Sequence, residues 1–198
     1  MSGRFIVFEG GDGVGKSTQV RLLAQALADR GDVLVTAEPG GTELGERLRK
    51  LLLDPATGDI SARTEALLYA ADKAQHVAQV IRPALERGQW VICDRYVDSM
   101  LAYQGAGRTL DAAELKKLAD WATGGLVPDL TVLLDLDPSV GVGAKRELDR
   151  LEAAGEEFHQ RVRDGFLALA AAAPERYLVL PARASVEQIA TAVLRRVT

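Results

Sequence analysis

The strongest constraint in this chain is the run Gly10-Gly11-Asp12-Gly13-Val14-Gly15-Lys16-Ser17, set between an apolar segment and a helical one. It fulfils the pattern G-x-x-x-x-G-K-[ST], with a strand before it and a helix after it, as the pattern's mechanism requires. The glycines let the backbone wrap phosphate oxygens, and the first amides of the helix aim partial positive charge at them. Lys16 adds a point charge for β- and γ-phosphates, and the Ser17 hydroxyl, followed by Thr18, suits magnesium. Residues 10–18 are therefore predicted to hold a nucleoside triphosphate with Mg²⁺.

Hydrophobic periodicity extends this unit along the chain. Apolar runs at residues 4–8, 32–36, 89–93, 130–135 and 176–180 read as buried strands. Between them lie amphipathic stretches at 16–30 (Val20, Leu23 and Leu27 in step), 42–53, 62–87 and 185–197. Pro83 predicts a kink or break near Ile81 and Arg82. The Ala-rich residues 167–173 read as the end of another helix. Continuous apolar strands alternating with helices imply a parallel sheet covered on both faces. No polar linker divides the 198 residues, so a single α/β domain is expected.

Composition narrows the classes further. The lone Cys93 excludes an internal disulfide and points to a reducing, cytoplasmic setting. A net charge of −4 argues against a general nucleic-acid binder. No apolar run approaches the roughly 20 residues of a membrane span, and the run at 5–8 is too short for a signal peptide.

Three uses of the triphosphate compete: a GTPase switch, a mechanical ATPase and a kinase for a small acceptor. The guanine-reading pattern Asn-Lys-x-Asp is impossible because the chain has no asparagine. Asp94-Arg95-Tyr96 follows the third strand, and the carboxyl ends of parallel strands form the ligand crevice. Asp94 is thereby placed to meet Mg²⁺ or its waters, and Arg95 to meet a second phosphate, which a motor does not need. Lys145, Arg146 and Arg150 form a basic cluster like a lid that closes arginines over a transferring phosphoryl group. The same cluster is equally the solvated face of a helix.

These motifs together resemble the bacterial thymidylate kinase family, over nearly the whole chain. The match runs through Phe8-Glu9-Gly10-Gly11-Asp12-Gly13 with Lys16-Ser17-Thr18-Gln19, then Glu38-Pro39-Gly40-Gly41-Thr42 and Ala71-Asp72-Lys73-Ala74-Gln75-His76. It continues in Asp94-Arg95-Tyr96-Val97-Asp98-Ser99, Ala102-Tyr103-Gln104-Gly105, Asp149-Arg150-Leu151-Glu152 and Glu157-Phe158-His159. The resemblance implies a three-layer P-loop NTPase fold: a five-stranded parallel sheet flanked by helices, with a short helical lid at about residues 141–153. It implies transfer of the ATP γ-phosphoryl to dTMP by a homodimer, with no nucleic-acid or membrane partner. Asp12, Lys16, Arg95, Arg146 and Arg150 are the implied catalytic residues, and Ser17 and Asp94 the implied metal ligands. Glu38, Pro39, Tyr69, Lys73, Ser99, Met100, Tyr103, Gln104, Asp149 and Glu152, with Asp12 and Arg95, are implied to surround dTMP.

Some residues depart from the family pattern. Gly13 stands where some members carry an arginine, so the resemblance hands that role to Arg146 or Arg150. Lys73 replaces an arginine that stacks on the base, and lysine lacks the planar fork. Met100 replaces a residue able to bond thymine, Pro181-Ala182 replaces the commoner Asp-Ala, and the lid is short. A broader pyrimidine monophosphate kinase (UMP, dUMP) therefore stands as the alternative, ahead of an ATP-binding module without transfer activity. His76 and His159 are expected as hydrogen-bonded helix residues, Cys93 as inert core, and Trp90 and Trp121 as packing residues.

Overall fold

The computed structural model describes residues 3–140 and 149–198. Five strands, β1 (Arg4–Gly10), β2 (Val33–Ala37), β3 (Trp90–Asp94), β4 (Leu130–Asp135) and β5 (Tyr177–Pro181), pair in the order β2-β3-β1-β4-β5. Every pairing is parallel. Each apolar run predicted as a strand falls on one of them.

Alternation along the strands divides the core. Ile6, Phe8, Ile92, Val132 and Leu134 pack against α1 (Lys16–Leu27) and α8 (Val186–Val197) on one face. Phe5, Val7, Val91 and Cys93 face the opposite layer, which begins with α3 (Ala62–His76) and α4 (Arg82–Glu86) and the segment between them. That layer is completed by α2 (Glu43–Leu53), α5 (Val97–Met100), α6 (Ala112–Thr123) and α7 (Glu156–Ala172). Periodicity placed α1, α2 and α8 correctly, and Thr42 and Ser185 cap the latter two.

The irregularity expected at Pro83 is a π-helical segment, Val77–Ile81, joining α3 to α4. Proline has no N–H to give the carbonyl one turn back, and the widened turn absorbs that loss. A second π-helical segment, Leu101–Gly107, continues α5 and was not anticipated. Its residues carry a functional motif, and the motif's spacing masked the helix.

One packing expectation is overturned: Trp121 is 83% exposed on α6. Trp90 does pack against the core, with the Arg4 guanidinium over its ring. Of the lid expected at 141–153, residues 141–148, and with them Lys145 and Arg146, lie outside the described residues. The remainder forms a turn and the single helical turn Glu152–Ala154.

Register sets where the site lies. Phe8 of β1 and Ala37 of β2 both stand opposite Asp94 of β3, so β2 and β3 end level with each other and β1 runs two residues further. Past the ends of β2 and β3 the ladder continues, with Arg95 N–H donating to Phe8 O and Glu38 N–H to Asp94 O. The loops carrying Asp12, Glu38 and Arg95 are thereby held side by side.

Candidate functional site

Gly10 needs its missing side chain. Its φ is +131°, and a Cβ there would sit 2.4 Å from the Leu134 carbonyl oxygen. Gly15 precedes α1 with φ +97°, in the left-handed region that side chains disfavour. The loop between them turns back over the start of α1, whose first N–H groups have no intrahelical partners. Lys16 folds across this loop, donating to Gly10 O (3.2 Å) and Gly11 O (2.6 Å). Burial and the Arg95 charge push its ammonium pKa down to about 8, against the opposing pull of Asp94 and Asp12.

At the start of α1 the Ser17 hydroxyl donates to Asp94 Oδ2 at 3.0 Å. The other oxygen, Asp94 Oδ1, is buried with no hydrogen-bond partner among the described residues. Two hard oxygen donors beside a phosphate loop, one of them orphaned, fit Mg²⁺, which takes few protein ligands and completes its shell with phosphate and water. Ser17 and Asp94 are the residues that would hold it.

Arg95 is the central side chain. Its backbone has φ +69°, rare for a residue with a side chain. Its guanidinium donates to Asp12 Oδ1 (2.6 Å), Gly10 O (2.9 Å) and Ser99 Oγ (3.1 Å), and lies over the Tyr103 ring. The Tyr103 hydroxyl donates to Asp12 Oδ2. Burial raises the Asp12 pKa, but the charges of Arg95 and Lys16 outweigh it and leave the carboxyl below its ordinary value.

Two clefts meet at this arginine. One, with about 530 Å³ of open space, is lined by Asp12, Glu38, Pro39, Tyr69, Lys73, Arg95, Ser99, Met100, Tyr103, Gln104 and Asp149. Eleven of the twelve residues expected around an acceptor are thus brought together. The other cleft holds Asp12, Gly13, Gly15, Lys16, Ser17, Thr18 and Asp94. Asp12, Glu38, Pro39, Arg49 and Arg95 line both.

Arg49, on α2, escaped the sequence reading. Its Nη1 donates to Pro39 O at 2.8 Å. Its only signal was a basic residue in an amphipathic stretch, which normally marks a solvated face. Leu53 and Leu151 line the acceptor cleft and gave no signal either. Val14, expected at the triphosphate, turns into the core beside α1.

Glu38 leads into Pro39 through a cis peptide bond and is fully buried. It accepts from Lys73 Nζ (2.7 Å) and pairs with His76 Nδ1 (2.8 Å), while His76 Nε2 meets Thr36 Oγ1 at 2.6 Å. Both histidines are hydrogen-bonded as expected, His159 through the Glu152 carbonyl. Cys93 is buried, and burial raises its thiol pKa, in keeping with an inert role.

The sequence pattern that defines the thymidylate kinase family matches residues 8–193. The chain belongs to the thymidylate kinase family. Over its full length it is 62% identical to the thymidylate kinase of Cutibacterium acnes, covering 98% of that protein. Identity to the thymidylate kinase of an Exiguobacterium species is 48%, over 98% of this chain and 93% of the relative. The crystal structure of thymidylate kinase from Ehrlichia chaffeensis superposes with a TM-score of 0.84 at 32% identity, covering all of both chains. The family is one of ATP-dependent nucleoside monophosphate kinases. Among the described residues, no helix is long and apolar enough to cross a membrane.

Two residues that the thymidylate kinase resemblance assigned to the site sit elsewhere. Glu152 does not line the acceptor cleft; its carboxylate accepts from Asp149 N–H. Arg150 lines neither cleft and donates to the Leu52 carbonyl at 2.9 Å and to the buried Glu65 carboxylate.

Asp72, beside this cluster, accepts from Gly40 N–H with Oδ1, while its Oδ2 is buried and unpartnered among the described residues. Burial and the neighbouring Glu38 charge push its carboxyl up to about 6 from 3.8. The folded state therefore holds a proton that the unfolded chain has released. That contribution to stability is complete below pH 3.8 and lost as pH rises through 6. Asp72→Asn keeps the Gly40 contact without the titration. Its stability relative to the parent, measured by urea unfolding, is expected to improve between pH 4 and pH 8 by up to about 3 kcal/mol. An unchanged difference across that range would refute the assignment.

Proposed function

We propose that this chain, acting as one domain, transfers the γ-phosphoryl group of ATP to dTMP, giving ADP and dTDP. The observation that carries the reading is the junction of the two clefts at Arg95, with Lys16 on one side and the cleft of Tyr69, Lys73, Tyr103 and Gln104 on the other. Lys16, the loop amides and Ser17 hold the triphosphate. Arg95 and Arg49 hold the acceptor phosphate, Tyr69 and Tyr103 enclose base and sugar, and Asp12 orients Arg95. When bound at Ser17 and Asp94, Mg²⁺ supplies charge neutralisation on the β- and γ-phosphates.

The acceptor oxygen belongs to a phosphate whose second pKa is about 6, so it is ionised at neutral pH and no general base is needed. What the protein must do is bring two polyanions together and offset the charge between them. Arg95 suits this because Asp12, Gly10 and Ser99 hold its guanidinium in place. Family resemblance adds Arg146 as a lid contribution to the transferring group.

We also propose a homodimer. Helices α2, α3 and α6 pack side by side, and each exposes large apolar side chains: Leu44 and Leu51, Leu67, and Trp121. A partner copy is the occupant the family resemblance supplies. The single, buried Cys93 suits the reducing cytoplasm.

A coupled ADP-release assay with dTMP, dUMP, UMP and CMP tests the central reading, with turnover expected on dTMP. Release with UMP or CMP and none with dTMP overturns it. Arg95→Ala is expected to lower kcat/KM for dTMP by about a thousandfold while ATP affinity stays within about threefold. Comparable loss of ATP affinity would show Arg95 serving the donor. Light scattering should give twice the chain mass, falling to the chain mass for Trp121→Asp; a monomeric parent rules out the dimer.

A further inference from the structure

Glu65 lies on α3 with no solvent exposure and has no part in the phosphate chemistry. Its carboxylate only receives hydrogen bonds. Gln104 Nε2 donates to Oε1 at 2.9 Å, Arg108 reaches both oxygens (3.3 and 3.4 Å), and Arg150 donates to Oε2. Of these donors, Gln104 lines the acceptor cleft. We infer that Glu65 is a positioning residue that locks the Gln104 side-chain amide in one orientation, and that this lock selects imide bases, thymine and uracil, over cytosine.

This role rests on the acceptor reading above and follows from hydrogen-bond complementarity. An amide presents a carbonyl at one end and N–H groups at the other, and a half-turn about its last torsion exchanges them. A buried carboxylate beside it removes that freedom. Only the N–H end can face Glu65, because a carbonyl there would set acceptor against acceptor where no water can intervene. The Gln104 carbonyl Oε1, which takes no hydrogen bond among the described residues, is left for the cleft.

A thymine or uracil ring offers an N3–H donor flanked by carbonyls. Oε1 can accept that N–H, and the second Nε2–H can donate to a neighbouring ring carbonyl. In cytosine N3 is an acceptor beside an amine donor, and it would meet Oε1 with no proton between them. Reading cytosine requires the reversed amide, which Glu65 forbids. Lys73, also on the cleft wall, carries donors only and adds preference for a carbonyl-bearing edge. Nothing in this device distinguishes thymine from uracil, so the 5-methyl group must be read by packing.

The test is kcat/KM for dTMP, dUMP and dCMP, by ADP release, in the parent, Glu65→Gln and Gln104→Leu. The parent should favour dTMP over dCMP by at least about a hundredfold, since a site built to bond a donor rejects an analogue lacking it. In Glu65→Gln the neighbouring group accepts either amide end, and the dTMP-to-dCMP ratio should contract by about tenfold or more, with dCMP turnover rising. If Glu65→Gln fails to fold, as judged by melting and ATP binding, Gln104→Leu must collapse the same ratio. A parent that uses dTMP and dCMP equally, or a Glu65→Gln variant that loses all three acceptors by one common factor, overturns the inference. A parent inactive on dTMP defeats the proposed function instead, so the two failures are separable.

Discussion

The carboxylate of Glu9 ties the two halves of the site together. It has no solvent exposure at the end of β1, yet it accepts Tyr96 N–H (2.9 Å), Ser99 N–H (3.1 Å) and Ser99 Oγ–H (2.6 Å). These donors belong to the turn after β3 and the opening of α5, so Glu9 fixes the turn in which Arg95 takes its positive φ. Ser99 Oγ then accepts from Arg95, and Arg95 reaches back to Gly10 and Asp12 on the loop that Glu9 begins. The circuit closes on itself. Its cost shows in Glu9, whose carboxyl is raised to about 7 by burial and the Asp98 charge, against the pull of Arg95 and Ser99. Backbone strain of the kind at Arg95, about 1–3 kcal/mol where it occurs, persists only when surrounding bonds over-determine it.

The same device, a buried acid matched to donors, recurs around the cleft. Glu38 serves Lys73 and His76, and Glu65 serves Gln104 and two arginines. Burial raises the Glu38 pKa, but Lys73 and His76 overcome it and hold the carboxyl below its ordinary value. For Lys73, burial lowers the pKa and Glu38 more than restores it. Such pairs add little net stability against an apolar core of equal volume, and losing one partner is expensive. They fix side-chain orientation at the cleft wall. A net charge of −4 is compatible with a cationic junction because these acids sit behind the cations and not in front of them.

What was legible in the sequence follows from which forces act locally. The strands were visible because both faces of a parallel sheet are buried, and the phosphate loop because glycine positions and the lysine are fixed by backbone geometry. The acceptor residues came from family resemblance, and the cleft gathers all but Glu152. Arg49 and Glu65 were invisible for a common reason. A charged residue in an amphipathic helix reads as solvated, and only tertiary packing turns it inward. Trp121 failed in the opposite sense: a large aromatic reads as a packing residue, but α6 presents it to solvent. The π-helical segment at Leu101–Gly107 repeats on a wider turn than 3.6 residues, so a search at the α-helical period could not reveal it.

Arg150 shows how burial limits a role that motif position suggests. A lid arginine acting on a transferring phosphoryl group needs a guanidinium free to move there. Arg150 has its Nε on the Leu52 carbonyl and its Nη2 on Glu65, a carboxylate with no solvent exposure. Leaving would strip that buried charge of a partner, a change that costs about 3–5 kcal/mol when a buried pair is broken outright. Arg108 and Gln104 soften the loss by remaining on Glu65. The motion is thus opposed by the same contacts that orient Gln104. An Arg150 that swung away would loosen the contacts that hold the Gln104 amide. Fixed as it is, Arg150 serves the wall of the acceptor cleft, and among the described residues Lys16, Arg49 and Arg95 are the cations that line the phosphate cleft near the junction.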